Sequence, residues 1–193
     1  MFYYAPTVFQ AIGYESAEAR MWGGVVLGVT FVISGFISMF FIDRIGRRPL
    51  PNIGAVFMGL SFLGLAILMS IGFNTYFAQI SAVICLVIFM LAFGISSAPI
   101  AWIIVTEICP LKGRAFGMAV STSTNWITNF FIGMSFLSIL NAVGPGFTFL
   151  LLGVINLLLL IIYYFFTPET KGVPLEQLEK NLMSGVEIRH IGR

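Results

Sequence analysis

Charge is what this sequence has least of. Only 9% of its 193 residues are Asp, Glu, Lys or Arg, while 59% are hydrophobic and twenty are Phe. An ordinary soluble domain carries about 25% charged residues, so a soluble globular fold is excluded and an integral membrane protein is indicated. Histidine is nearly absent, and the single one, His190, stands in the C-terminal tail. With no acid or histidine near the middle of an apolar run, these segments hold no proton relay of their own. Cys85 lies inside one apolar stretch and Cys109 at the end of the same stretch. That placement excludes a stabilising disulfide framework and leaves two reduced packing residues. Nothing resembles a nucleophile with its base or a metal-ligating cluster, so an enzyme is not expected: no catalytic residue, no metal and no cofactor. The opening residues have no basic lead-in before an apolar run, and no cleavable signal peptide is expected.

What is present is apolar runs of bilayer length. A helix needs roughly 20 mainly apolar residues to cross the hydrocarbon. Residues 20–42, 53–73, 77–108, 115–140 and 147–166 meet that length, and residues 1–13 read as the end of a further span. The third run is too long for one straight crossing, which suits a tilted helix or a kink at Pro99. Arg44, Arg47, Arg48, Lys112, Arg114, Lys171, Lys180, Arg189 and Arg193 fall in alternate connections or in the tail, with Arg20 on the other side. The positive-inside rule then puts the turn at 43–50, the turn at 111–114 and the tail at 167–193 in the cytoplasm. Within the tail, Leu175, Leu178 and Leu182 recur at helical spacing among charges, as in a short amphipathic helix on the cytoplasmic face. Gly23, Gly24, Gly28 and Gly35, then Gly54, Gly59 and Gly64, are expected to let helices approach closely.

Most of the polar chemistry sits between residues 93 and 130. A helix interrupted by Gly94 and Pro99 must turn its freed carbonyls toward protein or a watery cavity, because unsatisfied backbone groups are costly in lipid. Glu107 is the one acid within an apolar segment, about a turn from its cytoplasmic end, with Arg114 across the next turn. A buried carboxylate needs a partner. A charge latch with Arg114 and the arginines of the earlier turn is favoured over proton carriage. Asp43-Arg44-Ile45-Gly46-Arg47-Arg48 has the form of a charge-paired tight turn, although its arginines alone would serve to orient the chain. On the next run Thr122, Asn125 and Asn129 share one helical face, beside Trp126 and following Trp102. Amides satisfy hydroxyls in both directions and an indole covers the apolar face of a ring, which suits a neutral polyhydroxylated ligand. Interhelical polar glue is the alternative reading. Tyr3 and Tyr4, just before Pro6, read either as an interfacial aromatic belt or as part of an outer gate.

Together, the Asp43–Arg48 turn, Pro99 to Trp102 followed by Thr106-Glu107-Ile108, Asn125-Trp126, and Pro168-Glu169-Thr170-Lys171-Gly172 resemble the sugar porters of the major facilitator superfamily. The runs Pro110-Leu111-Lys112-Gly113-Arg114 and Ser121 to Trp126 are most similar to the bacterial galactose-proton and arabinose-proton symporter branch. The resemblance implies an all-α membrane protein, the C-terminal six-helix half of a major facilitator fold: five full transmembrane helices, the eighth to the twelfth, plus the end of a truncated seventh. It also implies that Trp102, Asn125, Trp126 and Asn129 contact sugar, that Tyr3 and Tyr4 belong to the outer gate, and that Asp43, Arg44, Arg47, Glu107, Arg114 and Glu169 form a cytoplasmic charge network. Two departures stand out, Ala98-Pro99 where relatives carry Gly-Pro, and Gly94 where some carry an acid. The implied partners are a monosaccharide, the lipid bilayer, protons carried by a separate N-terminal half, and no nucleic acid. The implied place is a bacterial inner membrane, crossed several times, with the C-terminus cytoplasmic. An inactive truncated remnant of a sugar porter gene and a porter-like sugar sensor are the alternatives.

Overall fold

The computed structural model describes residues 4–73, 75–110, 113–169 and 172–184. Tyr3, Lys112, Thr170, Lys171 and the tail beyond residue 184 lie outside the described residues, as do the side chains of Asp43, Leu175, Glu176, Glu179 and Leu182. The described chain is helical throughout: α1 Ala5–Ala11, α2 Ala17–Ile45, α3 Pro49–Ile71, α4 Tyr76–Ile95, α5 Ser97–Ile108, α6 Arg114–Phe166 and α7 Leu175–Met183. Four stretches are long and apolar enough to cross a membrane: Ala17–Ile42, Pro49–Ile71, Tyr76–Ile108 and Arg114–Phe166.

Local chemistry sets where these helices begin and stop. The Ser16 hydroxyl accepts from the Ala19 amide at 3.1 Å and Glu18 sits in the first turn, so α2 starts with a capped donor and an acid at its positive end. At the other end of α2 the chain leaves through Gly46 at φ 104. Proline opens α3, where a missing amide proton costs nothing. Between α4 and α5 the backbone breaks at Ser96 (φ −112, ψ −81). Pro99 is the cause, since it has no amide for the Ile95 carbonyl and its ring crowds that oxygen. The kink therefore precedes the proline by most of a turn.

α6 is the least expected element. A straight helix of its 53 residues would be about 80 Å long, far beyond a hydrocarbon core of about 30 Å. It turns back at a single corner, Gly144 (φ 81, ψ 166), followed by Pro145. Phe136 and Phe149 on the two sides of that corner bring their ring centroids within 6.5 Å, which a straight rod would forbid. The sequence suggested a loop over 141–146. One glycine in a backbone region closed to other residues, and a proline ready to start a new helix, make the loop unnecessary.

The second limb of α6 lies antiparallel along α3, the most extensive helix pairing in the fold. Gly146 faces Ala66, Gly153 faces Leu63 and Gly59 faces Leu157. Lipid offers no hydrophobic force between helices, so close van der Waals approach over small residues takes its place. α4 packs on both α2 and α3. Gly94 lies under Ser34 of α2, and Gly54 of α3 lies under Ser96, each so close that a Cβ would overlap the serine hydroxyl. Not all the glycines behave this way. A Cβ at Gly24, Gly28 or Gly35 would meet open space, so that face of α2 does not pack within this chain. The buried core gathers Val8, Phe9 and Ile12 of α1 with Leu27, Phe62, Leu65, Leu86, Met90 and Phe149. α7 lies against α5, with Leu178 fully covered.

A Cβ at Gly153 would come within 2.9 Å of Leu63 Cδ2 and 3.2 Å of the Leu63 amide nitrogen. Gly153→Val should therefore pry α3 from α6 and lower stability by about 1–3 kcal/mol. Gly28→Ala, in open space, should shift it by less than about 0.5 kcal/mol. Unfolding midpoints in mixed micelles check both, and equal midpoints for the two variants would contradict the packing described.

Candidate functional site

Polar groups collect in two places. The first is the end of the bundle where the α2–α3 turn meets the ends of α5 and α6. Glu169, just beyond α6, spreads its carboxylate over two backbone donors: Oε1 accepts from the Arg47 amide at 3.0 Å and Oε2 from the Arg48 amide at 3.2 Å. Those amides lead into the N-terminus of α3, where the helix dipole and unpaired N–H groups favour an anion. The side chain thus supplies from another helix the cap that α3 lacks locally. Gly46 is required beside it, because its φ is positive and a Cβ there would lie 2.7 Å from Glu169 Oε2.

The guanidinium groups then tie the remaining ends. Arg47 Nη2 donates to Glu107 Oε1 at 3.3 Å, with the side chains only 16% and 17% exposed. Arg48 Nη2 donates to the Tyr164 carbonyl at 3.0 Å and its guanidinium lies 5.3 Å from the Tyr164 ring centroid, a cation–π contact. Arg114 Nε donates to the Cys109 carbonyl at 3.4 Å, securing the α5–α6 turn. The sequence reading joined Glu107 both to Arg114 and to the arginines of the earlier turn. In the structure Glu107 pairs with Arg47 of the earlier turn, and Arg114 turns its Nε to the backbone. Arg44 stands exposed in the last turn of α2. Glu169 seated on amides, and Tyr164 under Arg48, were not foreseen. Gly46 was the available signal for the first, since a glycine in a charged turn marks a close approach; Tyr164, one of two adjacent tyrosines before Phe165, gives no comparable signal.

The second place is the first limb of α6. Asn129 Nδ2 donates to both the Asn125 carbonyl and Asn125 Oδ1, at 2.9 and 3.0 Å, so the two amides hold each other on one exposed face. Asn125, Trp126 and Asn129 are all exposed, Trp126 by 60%. Trp102, on the neighbouring α5, is 44% exposed. On the first limb of α6, Asn125, Trp126 and Asn129 thus stand exposed among Ile127, Phe130 and Phe131, with Ser123, Thr124 and Thr128 exposed beside them. At the opposite end from the charge network, Tyr4 is fixed: its hydroxyl donates to the Gly133 carbonyl of α6 at 2.9 Å and its ring lies 5.1 Å from Phe136. Nearby, Arg20 Nη1 donates to Gln10 Oε1 at 2.9 Å and ties α1 to α2. Among the described residues, no group of three His, Cys, Asp or Glu converges to hold a metal.

The family described as "Sugar (and other) transporter" matches residues 1–182. The chain belongs to that sugar transporter family. Within it, the galactose-proton symporter of Escherichia coli K12 is 40% identical over 190 residues, a match covering 98% of this chain and 41% of that protein. The arabinose-proton symporter of the same strain is 38% identical over 193 residues, with the same coverage. The chain thus spans about two-fifths of the length of these curated relatives. Among solved structures, the major facilitator proton:xylose symporter XylE bound to 6-bromo-6-deoxy-D-glucose superposes with a TM-score of 0.79 at 29% identity, covering 93% of this chain and 38% of that one. XylE from E. coli in its inward open conformation gives a TM-score of 0.74 at 26% identity, covering 91% and 40%. The fold of this sugar transporter chain is accordingly a helical membrane fold like that of a major facilitator protein, and the chain is a multi-pass membrane protein.

Loss of the Glu169 carboxylate removes two charge-assisted hydrogen bonds at once. Glu169→Ala should cost about 1.5–3 kcal/mol of stability, with Glu169→Gln in between because it keeps one oxygen for an amide. Denaturation of the three proteins in the same detergent decides this, and an unchanged midpoint for Glu169→Ala would remove the cap from the account.

Proposed function

We propose that this chain forms one wall of the sugar site, together with the inner charge network, of a sugar-proton symporter that takes galactose or a related monosaccharide. The observation behind the proposal is the exposed Asn125–Asn129 amide pair beside Trp126 on α6, with the half-exposed Trp102 on α5, a helix that packs on α6. Two amides and two indoles on an apolar surface match a ligand with hydroxyls around its edge and C–H groups on its faces. The relatives named galactose-proton and arabinose-proton symporters support the choice of a monosaccharide.

In transporters of this superfamily the substrate sits near mid-membrane between two halves that rock about it. This chain would then supply six-helix character on one side, comprising the end of a seventh helix in residues 1–13 and the eighth to twelfth helices. A second half, carrying the proton-binding acid, would supply the other side. The division of labour follows from the absence of any acid or histidine in mid-span among the described residues, since Glu107 is held at the inner end by Arg47. Tyr4, fixed to Gly133, would stand at the outer gate. The network of Arg47, Glu107 and Glu169 would hold the inner side shut while sugar enters from outside. Positive charge around the α2–α3 and α5–α6 turns supports placing them and the tail on the cytoplasmic side, and the membrane would be a bacterial inner membrane.

Co-expression with a matching N-terminal half, followed by galactose uptake, tests the whole proposal, and a well-inserted pair without uptake would overturn it. For the site itself, Trp102→Ala in that pair should weaken galactose binding roughly three- to tenfold, the effect of losing one aromatic face. Unchanged affinity by calorimetry would take Trp102 out of the site.

A further inference from the structure

Six aromatic rings form a continuous row through the fold. Tyr4, the cap of α1, lies 5.1 Å from Phe136 on the first limb of α6, and Phe136 lies 6.5 Å from Phe149 on the second limb. Phe149 lies 5.7 Å from Phe62 of α3, which stacks 4.2 Å from Phe89 of α4, and Phe89 lies 6.2 Å from Phe93 one turn further along α4. Phe93 stands just before the Ser96 break. The row thus begins at the hydroxyl that grips the Gly133 carbonyl and reaches the root of α5, the helix that bears Trp102, where Phe93 also stacks on Phe31 of α2 at 6.0 Å.

Its middle cannot yield easily. Phe149 is fully buried and Phe62 is 3% exposed, both within the main core cluster. Tightly packed rings change place by discrete repacking rather than by gradual compression. α5 is the element able to respond, because its first hydrogen bond across the break, from the Ile100 amide to the Ser96 carbonyl, is 3.3 Å long and Pro99 removes the preceding donor, the one the Ile95 carbonyl would accept. We propose that Phe149 and Phe62 are positioning residues that couple the setting of Tyr4 to the α4–α5 break. On the transport reading above, this would tie the outer gate to the helix carrying the sugar-facing indole. Direct contact between the two ends is unnecessary, because the rings between them occupy one shared packing arrangement.

Mere adjacency does not establish coupling, and a mutant cycle does. Amide exchange at Ile100 is followed in the full chain in lipid nanodiscs without sugar, relative to exchange around Leu159 on the second limb of α6, more than two turns from any ring of the row. Tyr4→Ala should lower protection at Ile100 by about twofold or more, and in a Phe149→Leu background the same substitution should have no further effect. In a Leu86→Ala background, which removes an aliphatic side chain of the same core and leaves every ring of the row in place, Tyr4→Ala should keep its full effect. Unchanged protection with Tyr4→Ala alone would overturn the proposal. So would additive effects of Tyr4→Ala and Phe149→Leu, or loss of the effect in Leu86→Ala. Should Phe149→Leu fail to insert, Phe136→Leu interrupts the row one ring earlier and serves the same cycle. Because no sugar is present, failure here leaves the sugar-site reading standing, and failure of galactose binding leaves this coupling standing.

Discussion

A carboxylate resting on two backbone amides closes this fold. In lipid the apolar faces of helices gain little by meeting one another, because acyl chains are as apolar as leucine. Helix ends must therefore be joined by polar contacts strong enough to hold in a half-wet interface. Glu169 does this by reaching from the end of α6 to the Arg47 and Arg48 amides, so the last long helix is locked to the first turn of α3. Arg47 extends the closure to α5 through Glu107, and Arg48 returns to α6 through Tyr164. Four helix ends meet at one turn. Such a joint differs from a packed core in how it fails, since a few hydrogen bonds break together and can form again.

Deeper in the membrane the logic changes from charge to shape. Gly59 and Gly153 bring α3 and the second limb of α6 together, while Gly94 and Gly54 let serines of neighbouring helices sit close to the backbone. Phenylalanines fill the wider gaps, and their rings run unbroken from Tyr4 to Phe93. The first limb of α6 remains almost uncovered, as does the Gly24, Gly28 and Gly35 face of α2. A surface that keeps amides and indoles on one limb and bare glycines on another is suited to meeting something other than acyl chains.

Much of this could be read from residue order. Run lengths separated the apolar stretches, Pro99 marked the interrupted helix, and the charge-bearing turn with Pro168-Glu169 pointed to a network at one end. The structure refined each for a physical reason. The break moved to Ser96 because proline acts on the carbonyl four residues earlier. The expected connection over 141–146 shrank to one residue because Gly144 alone supplies the positive φ. Among the arginines that the sequence offered Glu107, Arg47 of the earlier turn pairs with it, since the partner of a carboxylate depends on which turn folds over it and not on sequence distance. Glu169 went to main-chain amides, which every residue but proline possesses and no letter of the sequence distinguishes.

The account turns on whether the Asn125 and Asn129 face looks into water or into lipid. Asn129→Cys, in a chain with Cys85 and Cys109 replaced by Ser and paired with an N-terminal half, can be probed in membranes with a charged maleimide that does not enter hydrocarbon. Labelling that is rapid and that galactose slows is the predicted result. Labelling only by an apolar thiol reagent, indifferent to galactose, would contradict the account and return that face to the lipid-facing surface of a helical bundle.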